Sequence, residues 1–300
     1  MAAGLWLLGC ALAGAPAPGP RRIAITFDDL PCAGPCDDDS EARAVTSALL
    51  GALGRAHAPA AGFVIGSRVG NRAGLLEEWL RAGMDLGNHT WSHLDANRTP
   101  AAEYAADIDR TSGLLEPLAA RHGARIVWFR FPFTHTGGSA ENKAELERIL
   151  SVRGLRGAPF TVEHEDYLYN SALVAARAKR DHDAAERVKA AYLSHLETLM
   201  PFAEGVSRNL FGREIPQILL IHANRLNAEC LPAMLRLLAS RGYSFIRLEE
   251  ALADPACRTP DLYVDRFGPS WFHRWGIALA KPFPMRGEPE APEWVQALAK

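Results

Sequence analysis

The sequence contains no long hydrophobic run, no block of charges of one sign and no low-complexity tract. Hydrophobic residues make up 48% of the 300 positions and charged residues 23%, as in ordinary globular proteins. This composition argues against disorder, collagen and a polytopic membrane protein. Lysine and arginine total 33 against 35 acidic residues, a formal net charge of −2, so no basic stripe suggests nucleic-acid binding. The chain can bury the core of one or two globular domains.

The first twenty residues lack charged side chains and pass from apolar to small to proline-rich positions. This is the pattern of an export signal, and we expect a periplasmic or extracellular protein. The apolar stretch at residues 5–13 is shorter than the roughly 20 residues that cross a bilayer, so no transmembrane anchor is expected. Residues 7–10 (Leu-Leu-Gly-Cys) resemble the site at which bacterial lipoproteins are processed. A lipid on Cys10, simple signal cleavage and a misplaced start codon are the alternatives.

Cysteines are few, at positions 10, 32, 36, 230 and 257. Removing or lipidating Cys10 leaves four, which allow three disulfide connectivities. We expect Cys32–Cys36 and Cys230–Cys257, because each pair is local in sequence. A structural zinc site at Cys32 and Cys36 is disfavoured, since no second Cys or His pair stands at the required spacing.

Short apolar runs alternate with longer amphipathic stretches, which predicts repeated β–α units. Strands are expected at residues 23–27, 62–65, 84–87, 126–129, 158–162, 217–221 and 244–248. Helices are expected at residues 40–55, 75–82, 101–122, 140–152, 170–202, 228–241 and 248–252, with 170–202 as an exposed excursion. No repeat or flexible linker divides the chain. We therefore expect a signal segment (1–20), one α/β domain (21–254) and a tail (255–300) packed on that domain.

Ionisable side chains follow five of the predicted strands. They are Asp28 and Asp29, His89 and His93, Arg130, the group Glu163, Glu165 and Asp166, and finally His222. In parallel α/β barrels the chemistry lies at the C-terminal ends of the strands, where the loops share one mouth. The sequence therefore predicts that these side chains meet at one rim.

His89 and His93 are four positions apart, on one face of a helical turn or tight loop. Thr90 stands where the zincin motif needs glutamate, so a thermolysin-like peptidase is disfavoured. A carboxylate from Asp28 or Asp29 would complete a set of two histidines and one carboxylate, which suits zinc or a similar ion with an open position for water. Because successive residues of an extended chain point in different directions, the other aspartate could face the substrate.

Five ordered segments resemble the motifs of the polysaccharide deacetylase family, also called the NodB-homology family or carbohydrate esterase family 4. They are residues 26–30 (Thr-Phe-Asp-Asp-Leu), 89–93 (His-Thr-Trp-Ser-His), 130–133 (Arg-Phe-Pro-Phe), 163–167 (Glu-His-Glu-Asp-Tyr) and 220–222 (Leu-Ile-His). The resemblance covers about residues 22–250, and the five motifs together are specific. It implies a distorted (β/α) barrel of the NodB-homology type with about seven parallel strands.

By this resemblance, Asp28 would be the general base and Arg130 would orient it. Asp29, His89 and His93 would hold a divalent metal ion, with zinc expected and cobalt or nickel as alternatives. A bound metal acidifies water and polarises a carbonyl, so a nearby carboxylate can generate hydroxide at neutral pH.

The resemblance also implies roles on the substrate side. His222 would be the general acid and Asp166 would pair with its imidazole, which keeps a histidine protonated near neutral pH. The backbone N–H of Phe133 would help to bind the oxyanion. Tyr167 and Leu220 would line the acetyl pocket.

The expected activity is that of a metal-dependent hydrolase that removes N-acetyl groups from a saccharide by cleaving a linear amide. The alternatives are an O-acetyl esterase or small-amide hydrolase on the same fold, and a catalytically silent glycan-binding protein. Leu30 and Pro31 replace a usual glycine, and Glu163 and Tyr167 stand where aspartate and tryptophan are more usual. A mouth narrowed by these departures would favour a short oligosaccharide, a terminal sugar or a small amide.

Overall fold

The computed structural model describes residues 20–34, 36, 38–281 and 285–300. Cys10 and residues 1–19 of the expected export signal lie outside these ranges. The strands are β1 (Arg21–Leu30), β2 (Ala60–Val64), β3 (Asp85–Asn88), β4 (Trp128–Phe129), β5 (Arg156–Gly157), β6 (Val162–Glu163), β7 (Gln217–His222) and β8 (Tyr243–Phe245). The helices are α1 (Asp39–Arg55), α2 (Ala73–Arg81), α3 (Ala101–Arg121), α4 (Ala140–Val152), α5 (Asp166–Ala178), α6 (His182–Phe211), α7 (Arg225–Ser240), α8 (Leu248–Leu252), α9 (Trp271–Ala278) and α10 (Glu293–Leu298).

All strand pairs are parallel, in the order β5-β4-β3-β2-β1-β7-β6, and β8 pairs with the first residues of β1. The central strand β1 is buried along most of its length, which agrees with its apolar sequence because parallel sheets are covered on both faces. The expected fold, a distorted barrel of about seven parallel strands with surrounding helices, is confirmed.

The expected strand at residues 158–162 is wrong. The chain instead forms β5 and β6 on either side of this segment, and these two strands lie at opposite ends of the sheet order. Pro159 has no N–H to give to a ladder, while Ala158 donates to Phe129 and Thr161 donates to Ile218. Since four residues span at most about 14 Å, the two ends of the sheet must approach each other. The sheet is therefore curled into an incomplete barrel.

The expected single helix at residues 170–202 is also wrong in its bounds and in its exposure. It is two helices, α5 and α6, separated at residues 179–181, where Arg180 has a left-handed backbone and Asp181 caps α6. An apolar stripe of α6 is buried against α5 and α7, including Tyr192, Leu196 and Met200. The charged residues 179–183 cover this connection and the first two residues of α6, while the rest of the predicted helix is largely packed against its neighbours.

Alternation along β1 divides its side chains between two apolar layers. Ile23, Ile25 and Phe27 pack in the main cluster beneath the helices, whereas Ala24 packs in a second cluster inside the curl. The same period of two places the side chain of Asp28 on the inner face, because it is four residues beyond Ala24. The inner face of the central strand thus ends in a carboxylate.

Cys32 and Cys36 form a disulfide with 6.2 Å between their Cα atoms. The expected Cys230–Cys257 pair is wrong, since neither cysteine has a disulfide partner among the residues that the structure describes. Cys230 is buried in α7 and Cys257 lies in a 3-10 turn after α8, so the rest of α7 and all of β8 separate them. Closeness in sequence therefore did not bring this pair together.

The segment beyond residue 254 contains α9 and α10, which contact α6 and α5 respectively. Phe272 and Trp275 of α9 are buried in the main cluster. The expected domain boundary at residue 254 stays a prediction. Across the described ranges, no helix is both long and apolar enough to cross a membrane.

Candidate active site

The end of β1 directs both members of the aspartate pair toward one cavity. Asp28 is buried on the inner face of the strand, and Asp29 has a left-handed backbone with φ of 66°. The register of β1 with β2 shifts between Phe27 and Leu30, at the same place. This irregularity explains why two successive residues, which would point in different directions in a regular strand, both line the cavity.

Asp29, His89 and His93 form a cluster that could hold a metal ion, with one ligand atom of each within 4.8 Å of the others. The Nε2 atoms of His89 and His93 lie 3.5 and 3.4 Å from the same Asp29 oxygen, Oδ1. That oxygen is buried and has no hydrogen-bond partner within the described part of the chain. An unpartnered buried carboxylate oxygen between two imidazole nitrogens fits a divalent cation, which would satisfy all three atoms.

Neighbouring groups orient two of the three side chains in this cluster. The Nδ1 of His89 lies 2.7 Å from the carbonyl oxygen of Arg130, so this nitrogen carries the proton and Nε2 presents a lone pair to the cluster. Arg68 donates to the other oxygen of Asp29, Oδ2, at 2.9 Å. Burial alone would raise the pKa of Asp29, but the imidazoles hold it below its usual range. The carboxylate is therefore ionised and presents one oxygen.

Asp28 is held from the side away from the histidines. Arg130 is almost fully buried and donates from one terminal nitrogen to Asp28 Oδ1 at 3.3 Å and from the other to Thr26 Oγ1 at 3.1 Å. Its guanidinium lies over the ring of Phe63, 4.5 Å from the centroid. Asp28 Oδ2 lies 3.9 Å from His89 Nε2. The geometry fixes one carboxylate oxygen and leaves the other facing the cluster.

His222 and Asp166 form a second buried pair. Asp166 accepts from Nδ1 of His222 at 2.7 Å and from its backbone N–H at 2.8 Å. The side-chain amides of Asn224 and Asn227 donate to the same carboxylate at 2.8 and 2.6 Å. Burial lowers the pKa of His222, but the charge of Asp166 and its hydrogen bond outweigh burial and raise the pKa to about 10. The imidazole is thus kept protonated at neutral pH.

A cavity of about 460 Å³ connects the aspartates, the histidines and the substrate-side residues. Phe133, Tyr167 and Leu220 line it, as do Phe160, Glu163 and Gly268, which the sequence did not single out for this cavity. Burial and the charge of Asp166 raise the pKa of Glu163 to about 8, although the backbone N–H of Glu165 donates to it and opposes the rise. Glu163 therefore adds a neutral carboxylic acid to the wall at neutral pH.

Two further cavities share lining residues with the central one. One of about 430 Å³ shares Asp29, Tyr167 and His222 and follows α5. The other, of about 360 Å³, shares Phe160, Glu163, Tyr167 and Gly268 and extends past Glu288 and Glu290. Tyr167 lines all three, with half of its surface exposed. The three cavities thus adjoin at Tyr167, and we name them together the tyrosine groove.

The structure brings all ten residues to which the sequence assigned a role around the central cavity. Eight line it directly, and two (Arg130 and Asp166) lie behind Asp28 and His222. His93, one of the eight, stacks edge-on against Phe133 with 4.5 Å between ring centroids. Sequence reasoning missed Arg68, Asn224 and Asn227. Asn224 carries a signal, since asparagine before a helix is a common N-cap and Asn224 caps α7, but nothing in sequence links it to Asp166.

Residues 15–149 match the sequence model of the family described as polysaccharide deacetylase. The match confirms the resemblance of this part of the chain to that family. The chain is 26% identical over 231 residues to the peptidoglycan-N-acetylglucosamine deacetylase PgdA of Listeria monocytogenes, covering 77% of this chain and 38% of that protein. It is 33% identical over 133 residues to the peptidoglycan-N-acetylmuramic acid deacetylase PdaC of Bacillus subtilis, covering 44% of this chain and 26% of PdaC. The chain thus spans less than two fifths of these relatives' lengths.

Solved structures of the polysaccharide deacetylase family share the fold. The peptidoglycan deacetylase PdaC from Bacillus subtilis aligns with a TM-score of 0.50 and 23% identity over 78% of this chain and 93% of that chain. A family 4 pseudoenzyme from Bacillus anthracis aligns with a TM-score of 0.51 and 17% identity over 79% of this chain and 66% of that chain. Because the pseudoenzyme has this fold as well, any activity must be argued from the residues of the site.

Proposed function

We propose that this protein is a metal-dependent hydrolase that removes N-acetyl groups from a saccharide. The observation that carries the proposal is the cluster of Asp29, His89 and His93 around one unpartnered carboxylate oxygen, with Asp28 beside it. Zinc is the expected ion, because two imidazoles and one carboxylate are typical ligands of a catalytic zinc site. When bound, the metal would polarise the acetyl carbonyl and acidify the attacking water.

Asp28 is the proposed general base. Arg130 occupies its Oδ1, so Oδ2 is the oxygen that takes a proton from the attacking water. The oxygen of that water bonds to the carbonyl carbon of the acetyl group. The backbone N–H of Phe133 is the proposed donor to the resulting oxyanion, a contact that in comparable sites contributes about 3–4 kcal/mol.

His222 is the proposed general acid. Asp166 binds its Nδ1, which leaves Nε2 to deliver a proton to the leaving nitrogen as the C–N bond breaks. Asn224 and Asn227 hold the Asp166 carboxylate in place. The products are acetate and a free amine on the sugar, while Tyr167 and Leu220 form the wall for the acetyl methyl group.

The named relatives support a glycan substrate outside the cell. The names of PgdA and PdaC describe deacetylases of N-acetylglucosamine and N-acetylmuramic acid in peptidoglycan. An export signal at residues 1–20 agrees with a cell-wall substrate, and a lipid on Cys10 would hold the protein at a membrane surface. We therefore propose a peptidoglycan or chitin-like glycan as the substrate.

The deciding measurement is acetate release by the zinc-loaded protein from chito-oligosaccharides, peptidoglycan fragments, O-acetylated sugars and small N-acetylated amines. Asp28→Asn is the matched control, because it keeps the shape of the side chain and leaves the three proposed ligands unchanged. We expect release from N-acetylated saccharides that falls by about 100-fold or more in the variant. Release only from O-acetyl esters or small amides would overturn the proposed substrate class. Glycan binding without acetate release would show that the protein is a catalytically silent glycan-binding protein.

A further inference from the structure

The loop after β4 holds a backbone conformation that its own sequence does not favour. Phe133 and Thr134 have φ of 56° and 55°, in the left-handed region. Neither is glycine, and non-glycine residues hold this conformation only where their surroundings impose it. Both residues line the central cavity, and Phe133 contacts His93. Something outside the loop must hold it in place.

The contacts that hold the loop come from a segment more than 130 residues later in the chain. Thr134 donates from Oγ1 to the carbonyl oxygen of Gly268 at 2.5 Å. Arg274 donates from one terminal nitrogen to the carbonyl oxygen of Thr134 at 2.7 Å and from the other to Thr136 Oγ1 at 3.0 Å. The loop is thus held at Thr134 by hydrogen bonds to both Gly268 and Arg274.

Arg274 is itself immobilised. Its side chain is completely buried, lies over the ring of Trp271 at 4.2 Å, and donates to the carbonyl oxygen of Pro269 and to Asp261 Oδ2 at 3.0 Å each. The Nζ of Lys143, in α4, forms a salt bridge with the same Asp261 oxygen at 2.7 Å. A planar guanidinium with four fixed acceptors has a single orientation, which a lysine could not reproduce.

Gly268 completes the arrangement because only glycine fits there. A Cβ atom at this position would meet Thr134 Oγ1 at 1.9 Å and the carbonyl oxygen of Phe133 at 2.2 Å. Nearby, the backbone N–H of Trp271 donates to the carbonyl oxygen of Phe160, another residue of the cavity wall. Residues 261–274 therefore form one wall of the site and are more than a covering of the domain.

We propose that Arg274 is a positioning residue for the reaction, acting through Thr134 to hold the Phe133 peptide where its N–H faces the oxyanion. The inference rests on the proposed function. Because an oxyanion donor acts mainly on the transition state, loosening this loop lowers kcat more than it raises KM. Arg274 lines neither the central cavity nor the cluster of three proposed ligands, so it acts through the residues that it contacts, and its two hydrogen bonds to Thr134 and Thr136 connect it directly to the loop.

The test compares Arg274→Lys with Lys143→Met in the full chain. Both variants disturb the buried pairing of Asp261, but only Arg274 contacts Thr134. We expect Arg274→Lys to lower kcat for an N-acetylated chito-oligosaccharide by about tenfold, with KM changed by less than about twofold. Lys143→Met is expected to lower the unfolding temperature and to leave kcat near that of the unmodified protein. Equal kcat values in the two variants would overturn the proposal.

A second readout does not depend on turnover. Amide hydrogen exchange of a peptide covering residues 131–137 reports directly on the order of the loop. We expect faster exchange in Arg274→Lys and unchanged exchange in Lys143→Met, and unchanged exchange in both would contradict the proposal. If Arg274→Lys does not fold, Gly268→Ala pushes on the same loop from the opposite side and is expected to give the same pair of changes. Failure of the unmodified protein to release acetate would overturn the proposed function, while the exchange comparison still decides the role of Arg274.

Discussion

At the scale of single residues, the decisive feature is how Asp29 presents only one of its oxygens. The spacing of the residues left open whether Asp28 or Asp29 would join the two histidines, because alternation along a strand says only that adjacent side chains diverge, and the family resemblance alone assigned Asp29. The left-handed backbone of Asp29 and the hydrogen bond from Arg68 separate their roles. One oxygen of Asp29 accepts a hydrogen bond from Arg68 and the other lies between the two imidazoles, whereas Asp28 accepts a hydrogen bond from Arg130.

Arg68 gives a first prediction. Arg68→Ala removes the hydrogen bond that fixes Asp29 Oδ2, so the carboxylate can rotate away from the histidines. We expect the zinc dissociation constant, measured by competition with a chelator, to rise by about tenfold, the range found when groups behind a metal ligand are removed. His93→Ala, which removes a proposed ligand, should raise it further. An unchanged constant in Arg68→Ala, with the expected loss in His93→Ala, would show that Arg68 does not orient Asp29.

His222 gives a second prediction, on pH. Since Asp166 raises the pKa of His222, the protonated imidazole is present below that pKa and is lost as the pH rises through it. Asp166→Asn removes the raising charge but keeps a side chain of the same shape. We therefore expect the basic limb of the plot of kcat/KM against pH to move to lower pH in this variant. An unmoved basic limb would mean that another group sets it.

The candidate site could be predicted from sequence where a motif follows a strand. Asp28, His89, Arg130 and His222 each come at or directly after the end of a parallel strand, and the ends of parallel strands meet at one rim. Their supporting partners could not be predicted, because those contacts join residues far apart in sequence. The hydrogen bond from Asn227 to Asp166 spans 61 positions, and no local pattern encodes it.

At the scale of elements, the strands and helices expected from the sequence were correct where the apolar periodicity was long. They were wrong where the chain crosses from one edge of the sheet to the other. Strands β1, β2 and β7 and helices α1, α3 and α4 lie within a few residues of their expected bounds. The expected strand at 158–162 failed because an apolar run is buried equally well as a crossover between two sheet edges. The exposure expected for α6 was wrong because the prediction rested on the charged residues at its start and not on the apolar stripe that follows them.

The close packing of β3 gives a prediction at this scale. A Cβ atom on Gly87 would lie 2.6 Å from the ring of Phe63 and 3.0 Å from the carbonyl oxygen of Trp128. We expect Gly87→Ala to lower the free energy of unfolding by about 1–3 kcal/mol, as overpacking does in other cores.

Gly113→Ala is the matched control for this packing, because a Cβ there meets nothing within 4 Å in the middle of α3. It should raise the free energy of unfolding by about 0.5–1 kcal/mol, since alanine favours a helix over glycine. Denaturant unfolding measures both variants. A Gly87→Ala protein as stable as the unmodified one would mean that β3 can shift to admit a methyl group.

At the scale of the whole molecule, the tyrosine groove bears on the size of the substrate. The sequence suggested that departures in the motifs would narrow the mouth and favour a short or terminal group. Two further cavities, of about 430 and 360 Å³, share Tyr167 with the central one. The expected narrowing stays a prediction, and on the proposed function these cavities are candidate sites for sugar units next to the reacting acetyl group.

The groove predicts a dependence on chain length. Sugar units bound away from the reacting amide supply binding energy that can be used in the transition state. We expect kcat/KM for acetate release to increase by about tenfold or more from N-acetylglucosamine to its tetramer, with most of the gain lost in Tyr167→Ala. Equal rates for monomer and tetramer would favour a small amide as the substrate.

The wall formed by residues 261–274 has a consequence for the timing of synthesis. The ribosome releases Asp28 early and Arg274 almost 250 residues later, yet the loop between them needs both ends of the chain to take its shape. Domains begin to fold from the N-terminus as they emerge, so most of the sheet can form before the wall exists. During that interval the nascent protein has its aspartates and histidines but not the fixed Phe133 peptide. On the proposal for Arg274, the fixed Phe133 peptide is complete only after residue 274 has been synthesised, late in the production of the chain.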